Sequence, residues 1–266
     1  MEYRLMAVDM DGTLLNPDSE ITPYTLRTVK QAVAKGLKFI LCTGRPLQGV
    51  KKYVDRLGLD CPVITYNGAV IAHSTTGEIL YSQLMGTEEA RRVYNLAKEK
   101  NTMFIIWSQN QLYASEISEK SAFYEGITTA KATLLEDFEA VLAQGITKML
   151  WYDDPDTLDK WTEELTGMGF EETTFVKSRA YFLEFFSNKT SKAVAMAKLG
   201  EYYGIRREEM IAAGDQTNDL PMIEYAGLGV AMGNAVESVK AAADLITATN
   251  SEDGVAQVIR KLILKE

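Results

Sequence analysis

Near the N-terminus, an apolar run ends directly in two aspartates spaced by one residue. The run is Leu5–Val8, the acids are Asp9 and Asp11, and Gly12 and Thr13 follow at once. On an extended backbone, residues two apart project to the same side, so the two carboxylates can converge on one point. One could attack while the other moves a proton, and together they could hold a hard cation. A solvated turn after a buried strand is the alternative explanation, because Asp, Gly and Thr all form turns.

Composition and length are those of an ordinary globular protein with room for two domains. The chain has 266 residues, of which 46% are apolar and 24% charged. Its apolar stretches are only a few residues long, which predicts no membrane span, and no targeting peptide is recognisable at the N-terminus. The net charge of −9 argues against a nucleic-acid partner, which would require a basic stripe. We therefore expect a cytoplasmic protein that binds neither membranes nor nucleic acid.

The outer parts of the chain alternate apolar strands with amphipathic helices. Strands such as Leu37–Cys42 and Pro62–Tyr66 are continuous apolar runs, and Thr22 followed by Pro23 is typical of a helix start. Continuous apolar strands that alternate with such helices indicate a parallel sheet covered on both faces. The outer parts therefore predict an α/β core with a Rossmann-like parallel sheet.

The middle part of the chain follows a different pattern. It predicts helices against a largely antiparallel sheet, with a hairpin of Thr173–Lys177 and Tyr181–Phe186, and it carries almost all of the acidic excess. We therefore predict a core formed by residues 1–82 and 189–266, interrupted by an inserted α+β domain, residues 83–188.

Polar residues follow core strands or begin a helix at three further places. Thr43-Gly44-Arg45 follows the second strand, Lys192 begins a helix, and Gly214-Asp-Gln-Thr-Asn-Asp219 follows a later strand. Because open α/β sheets build their sites at the carboxyl ends of strands, these residues are expected to lie near Asp9 and Asp11. Taken singly, each has a simpler explanation as a helix cap, a turn or a solvated lysine.

Taken together, these segments resemble the four motifs of the haloacid-dehalogenase-like (HAD) phosphohydrolases. Two further segments and the position of the insertion resemble the Cof-type subgroup, which carries a large type IIB cap. Those segments are Ile64-Thr-Tyr-Asn-Gly-Ala69 and Tyr181-Phe-Leu-Glu184. The similarity covers nearly the whole chain. One departure is Ala193 after Lys192, where relatives often have glycine, and alanine is small enough to begin a helix there.

The resemblance implies a role for each acid. Asp9 would attack phosphorus and form an aspartyl-phosphate. Asp11 would protonate the leaving alcohol and then deprotonate the water that cleaves the intermediate. Asp9, the backbone carbonyl of Asp11, and Asp215 would bind Mg²⁺, while Asp219 would support either the metal or Lys192.

The resemblance also implies how the phosphate is held. Thr43, the amide of Gly44, Lys192 and Asn218 would bind the phosphoryl oxygens. Such positive charge is needed because a phosphate dianion repels an attacking carboxylate.

Four residues are candidates for selecting the alcohol. Arg179, in the hairpin of the cap, would touch substrate, or it could be a solvated arginine. Glu184 could bind sugar hydroxyls or only hold the cap strand in place. Tyr66 and Asn67 could contact the leaving group or brace the Asp-Gly turn.

The function that these residues predict is Mg²⁺-dependent hydrolysis of small phosphorylated metabolites, sugar phosphates foremost. A phosphotransferase or mutase that uses the same intermediate is one alternative. A phosphate-sensing or interaction module without turnover is another, although every chemical position of the motifs is filled. The sequence leaves the oligomeric state and the individual substrate open.

Overall fold

The structure is a computed structural model that describes residues 3–266. The strands are β1 (Leu5–Val8), β2 (Lys38–Leu41), β3 (Pro62–Thr65), β4 (Val70–His73), β5 (Ile79–Ser82), β6 (Met103–Ser108), β7 (Gln111–Ala114), β8 (Ala132–Leu134), β9 (Lys148–Tyr152), β10 (Thr173–Arg179), β11 (Phe182–Ser187), β12 (Met210–Gly214), β13 (Leu228–Ala231) and β14 (Leu245–Ile246). The α-helices are α1 (Pro23–Ala34), α2 (Leu47–Leu57), α3 (Thr87–Glu99), α4 (Glu119–Thr128), α5 (Phe138–Ala143), α6 (Pro155–Thr166), α7 (Lys192–Tyr203), α8 (Leu220–Tyr225), α9 (Glu237–Ala242) and α10 (Gly254–Ile259).

These elements form two compact units. The core unit contains the residues up to Tyr81 together with Ser191–Glu266, and the inserted unit contains Ser82–Thr190. The inserted unit therefore interrupts the core unit in sequence.

The core unit contains a five-stranded parallel sheet in the order β14-β13-β12-β1-β2. β1 lies between β12 and β2, with Val8 beside Ala213 on one side and Leu41 on the other. The predicted α/β fold with a parallel sheet is thus confirmed. Because the three strands are parallel and in register, the residues that follow them emerge at the same edge of the sheet.

β3 is a strand where Pro62–Tyr66 was expected to form one, but it meets the parallel sheet only through an isolated parallel bridge. That bridge joins Ile64 to Cys42, and β3 otherwise pairs antiparallel with β4 in a separate sheet of order β3-β4-β5. The sequence suggested a parallel strand because the run is continuously apolar, and β3 is indeed buried along its whole length. The tight turn over Tyr66–Gly68 instead folds the chain back onto it.

Helix α7 brings Lys192 to the edge of the parallel sheet. The Ser191 hydroxyl accepts a hydrogen bond from the backbone N–H of Ala193 and so caps the helix. Gly204 ends the helix in the left-handed conformation. The buried side chains of this helix include Met196 and Leu199, which pack in the hydrophobic core of the unit.

The inserted unit has a six-stranded sheet in the order β10-β11-β9-β6-β7-β8. Its pairs are antiparallel except for β7 with β8, and the β10–β11 hairpin lies where it was predicted. Helix α4 was not predicted, because its buried residues are Ser121, Tyr124 and Thr128 rather than an apolar stripe. Within residues 3–266, none of the helices combines the length and the apolar character that crossing a membrane requires.

Candidate active site

The predicted chemical residues of the core unit follow the ends of neighbouring strands. Asp9 follows β1, Asp215 follows β12, and Thr43 lies two residues after β2. The backbone N–H of Asp9 donates to the carbonyl of Ala213 at 2.9 Å, which continues the sheet by one residue. The register of the parallel sheet therefore brings these side chains to one edge.

Lys192 is buried at this edge and pairs with two carboxylates. Its Nζ donates to Oδ1 of Asp9 at 2.6 Å and to Oδ1 of Asp219 at 2.5 Å. A third hydrogen bond, at 3.3 Å, goes to the carbonyl of Cys42. The side chain of Lys192 has 0% exposure. A buried ammonium requires such partners, and here Nζ lies within hydrogen-bond distance of three acceptors.

Asp219 connects Lys192 to the loop after β12. Its Oδ2 accepts hydrogen bonds from the backbone N–H groups of Asp215 and Gln216, both at 2.9 Å. Its other oxygen faces Lys192. Of the two roles expected for Asp219, these contacts match support of Lys192.

Asp215 is held by its neighbours and by the turn after β1. The Thr13 hydroxyl donates to Oδ1 at 2.8 Å, and Gln216 Nε2 donates to Oδ2 at 3.0 Å. Gly12 lies against this carboxylate with φ +84°, and a Cβ there would be 2.5 Å from Oδ2. Only glycine combines that backbone angle with that approach. This role of Thr13 was not predicted, although its place directly after Asp-x-Asp-Gly was a signal.

Asp9, Asp215 and Asp219 form a buried carboxylate cluster, whose nearest oxygens all lie within 4.8 Å of one another. Three converging carboxylates are a donor set that suits a hard divalent cation. The two oxygens of Asp219 already accept hydrogen bonds from Lys192 and the backbone. The cluster as a whole therefore suits a divalent cation.

Burial dominates the electrostatics of this cluster. It raises the pKa of Asp9 to about 7, against the opposing effect of Lys192, and the neighbouring acids add to the rise. Burial likewise raises the pKa of Asp215. For Lys192, burial opposes the charge, but Asp9 and the other acidic groups around it outweigh burial and raise its pKa. The cluster thus keeps Lys192 charged, but this one positive charge cannot neutralise three carboxylates. A bound cation would supply the missing positive charge.

Asp11 lies outside this cluster, and its carboxylate pairs with Arg45. Nε of Arg45 donates to Oδ2 of Asp11 at 2.8 Å, and Nη2 donates to Oδ1 at 2.5 Å. The guanidinium also lies 5.4 Å from the ring centroid of Tyr53. Its hydrogen bond to Asp11 is the main reason why the pKa of Arg45 is raised. This pair was not predicted, because Arg45 stood out in the sequence only as part of the Thr-Gly-Arg motif.

The segment after β2 forms a tight turn that contains the predicted phosphate-binding groups. Thr43 is buried, and its hydroxyl accepts a hydrogen bond from the backbone N–H of Arg45 at 3.1 Å. Its carbonyl accepts from the backbone N–H of Asn67 at 3.0 Å. Thr43 therefore shapes the turn that presents Gly44.

Asn218 and Asn67 meet through their side chains. Nδ2 of Asn218 donates to Oδ1 of Asn67 at 3.0 Å. Tyr66, the neighbouring candidate, is 4% exposed. Tyr66, Asn67 and Gly68 all have positive φ, which the sequence analysis did not predict.

The remaining two candidates, Arg179 and Glu184, belong to the inserted unit. Glu184 lies on β11, where it accepts from Nζ of Lys148 at 2.8 Å and from the Ser178 hydroxyl at 3.0 Å. Burial opposes the charge on Lys148, but Glu184 and Tyr124 outweigh it and raise the pKa of Lys148 to about 12. These contacts match the interpretation that Glu184 holds its strand in place. Arg179 is the last residue of β10 and is exposed.

Comparisons with known proteins agree with this arrangement. The model of one protein family, described as haloacid dehalogenase-like hydrolase, matches residues 6–259. YxeH of Bacillus subtilis (strain 168) is 36% identical over 98% of this chain and 99% of its own length. YcsE of the same organism, named as a 5-amino-6-(5-phospho-D-ribitylamino)uracil phosphatase, is 33% identical over 99% of this chain and 97% of its own. A crystal structure of a haloacid dehalogenase-like hydrolase from Bacteroides thetaiotaomicron has a TM-score of 0.87 and 31% identity, and the match covers 98% of this chain and 99% of that one.

Proposed function

Because this chain belongs to the haloacid dehalogenase-like hydrolases and is a phosphatase, we propose that it hydrolyses small phosphorylated metabolites, sugar phosphates foremost, with Mg²⁺. The observation that carries this proposal is the buried Lys192 between Asp9 and Asp219, with Asp215 beside them. This arrangement supports the proposal because an attacking carboxylate, a fixed positive charge and a cation site would then lie together.

Asp9 is the proposed nucleophile. One of its oxygens attacks phosphorus, the bond from phosphorus to the leaving alcohol breaks, and an aspartyl-phosphate forms on Asp9. Lys192 keeps Asp9 in place and offsets the charge of the incoming phosphate. Water then attacks the phosphorus, which releases inorganic phosphate and restores the carboxylate.

Asp11 is the proposed acid and base. It gives a proton to the departing alcohol oxygen and takes one from the attacking water. Both of its oxygens accept a hydrogen bond from Arg45, and each keeps a second lone pair that can take a proton. Arg45 thus orients the carboxylate of Asp11 for proton transfer.

Asp9, Asp215 and the backbone carbonyl of Asp11 are the groups proposed to hold Mg²⁺. When bound, the ion supplies positive charge that reduces the repulsion between the phosphate and Asp9. Thr43, the Gly44 amide, Lys192 and Asn218 are proposed to bind the phosphoryl oxygens. Asp219 is proposed to keep Lys192 oriented toward them.

The substrate class is proposed from one relative and from the inserted unit. The name of YcsE places the phosphate on a D-ribityl chain, which supports a phosphorylated sugar or polyol for this chain too. We assign the inserted unit as a type IIB cap that selects the alcohol. Arg179, which is exposed, is the foremost candidate for that contact, ahead of the paired Glu184.

The test is a comparison of Asp9→Asn with the wild type on a panel of phosphorylated metabolites with Mg²⁺. The amide keeps the shape of the carboxylate and loses its attacking charge, so turnover should disappear while the far-UV circular dichroism is unchanged. Asp11→Asn is the matched variant, and it should slow breakdown of the intermediate and let phosphate accumulate on Asp9. Turnover of Asp9→Asn within tenfold of the wild type would remove Asp9 from its role. Phosphate found on a second sugar hydroxyl, instead of free in solution, would indicate a phosphotransferase.

A further inference from the structure

The turn between β3 and β4 has an unusual backbone. Three consecutive residues have positive φ, namely Tyr66 at +51°, Asn67 at +56° and Gly68 at +102°. Residues other than glycine avoid this region because Cβ crowds the backbone, and a bulky tyrosine there is a clear outlier. Such strain persists where the surrounding structure enforces it, which is common at functional sites.

Two proposed phosphate-binding elements enforce this conformation. The backbone N–H groups of Tyr66 and Asn67 donate to the carbonyls of Arg45 at 3.2 Å and Thr43 at 3.0 Å. On the other side, a Cβ on Gly68 would lie 2.2 Å from the carbonyl oxygen of Ser191. The turn is therefore packed between the segment after β2 and the first residues of α7.

The side chain of Asn67 reaches the two remaining groups of the phosphate site. Its Oδ1 accepts from Nδ2 of Asn218 at 3.0 Å, and a Cβ on Gly44 would lie 3.0 Å from that same oxygen. Asn218 is an exposed side chain, and without a partner it would sample several rotamers. Asn67 supplies that partner from the enforced turn.

We propose that Asn67 is a positioning residue that orients the amide of Asn218 toward a phosphoryl oxygen. The amide nitrogen of Asn218 has two N–H donors. One of them donates to Asn67. That contact fixes the plane of the amide, and so sets the direction in which the second N–H can donate to phosphate. This inference rests on the proposed function, and it gives Asn67 a role other than selection of the leaving group.

The first test is Asn67→Gly, which removes the side chain and still allows the left-handed backbone. The readouts are KM, kcat and the inhibition constant of inorganic phosphate. Loss of one oriented donor should raise KM and the inhibition constant about tenfold, with kcat nearly unchanged, because the donor holds phosphate before and during reaction. Asn101→Gly is the matched control, since Asn101 also has φ +51° and lies in the inserted unit. It should change none of these values.

A double-mutant cycle with Asn218→Ala tests the connection between the two residues. If Asn67 acts through Asn218, the double variant should bind inorganic phosphate no more weakly than Asn218→Ala alone. The inference would be overturned if the fold-changes of the two single variants multiplied in the double variant. It would also be overturned if Asn67→Gly left KM and the inhibition constant of inorganic phosphate unchanged. Asn67→Ala adds backbone strain, so it should lower Tm more than Asn67→Gly while giving the same inhibition constant.

The proposed function and this inference fail in different ways. A wild type without turnover on any phosphorylated metabolite would remove both. If the wild type turns over normally but the two variants weaken phosphate binding independently of each other, only the inference about Asn67 is wrong.

Discussion

Arg45 holds the carboxylate of Asp11 with two hydrogen bonds, from Nε at 2.8 Å and from Nη2 at 2.5 Å. The pair is separate from the buried cluster of Asp9, Asp215 and Asp219. The two aspartates of the Asp-x-Asp motif thus have different surroundings: Asp9 is paired with a buried lysine, and Asp11 with a partly exposed arginine. This difference suits one fixed nucleophile and one group that exchanges protons.

Replacing Arg45 should affect the proton-transfer step most. Arg45→Lys keeps the charge and loses the two-pronged contact, because lysine cannot reproduce the guanidinium fork. We expect kcat/KM to fall about tenfold or more with an alkyl phosphate, the size of one lost charged hydrogen bond. The loss should be smaller with p-nitrophenyl phosphate, whose leaving group needs little protonation. Equal losses on both substrates would contradict a role through Asp11.

Replacing Lys192 should reduce both activity and stability. Lys192→Ala removes a preorganised positive charge, and kcat/KM should fall by roughly 10²–10³. It also leaves Asp9 and Asp219 buried without their partner, which should cost about 3–5 kcal/mol in the free energy of unfolding. Urea unfolding of the metal-free protein measures this loss.

Lys189→Ala is the matched control for Lys192→Ala. Lys189 lies three residues earlier and pairs with Glu172, and both side chains are largely exposed. Exposed pairs contribute little to stability, so this variant should keep wild-type activity and unfolding free energy. A loss of activity at Lys189 with none at Lys192 would mean that the motif lysine was assigned wrongly.

The raised pKa of Asp9 predicts how stability depends on pH and Mg²⁺. The pKa is 3.8 for an ordinary aspartate and about 7 here, so between these values the folded protein binds more protons than the unfolded chain. The free energy of unfolding in metal-free buffer should therefore fall as pH rises from about 4 to 7. Mg²⁺ competes with that proton, so its stabilisation should be larger at pH 8 than at pH 5.5. Urea unfolding with EDTA and with Mg²⁺ checks this, and Asp9→Asn should flatten the pH dependence.

Arg179→Ala should change which metabolites are preferred. Arg179 is exposed at the end of β10, so its loss should leave the fold intact. We expect kcat/KM to fall unequally across a panel of sugar phosphates, with little change for p-nitrophenyl phosphate. Lys177→Ala is the matched control, because Lys177 lies on the same strand and pairs with Asp159. An unchanged ranking for Arg179→Ala would exclude this arginine from substrate selection.

Much of the fold was predictable because its determinants are local. Continuous apolar runs marked β1, β2 and β12, and Thr22 followed by Pro23 marked the start of α1. The pairing of β3 was not predictable in this way. A strand buried on both faces has the same sequence pattern whichever sheet contains it, and only the backbone turn after it decides its partner.

The sequence by itself determined where the chemical groups stand along the chain. Asp9, Thr43 and Asp215 follow apolar strands, and parallel pairing in register must bring such positions to one edge. Only the tertiary structure decided which groups pair there. Lys192 could have met any of several acids, and it meets Asp9 and Asp219, while Asp11 meets Arg45. The contact between Asn67, in the turn after β3, and Asn218 could not be predicted from the sequence either. These pairings depend on side chains from distant segments, up to 183 residues apart, and no local pattern encodes such distances.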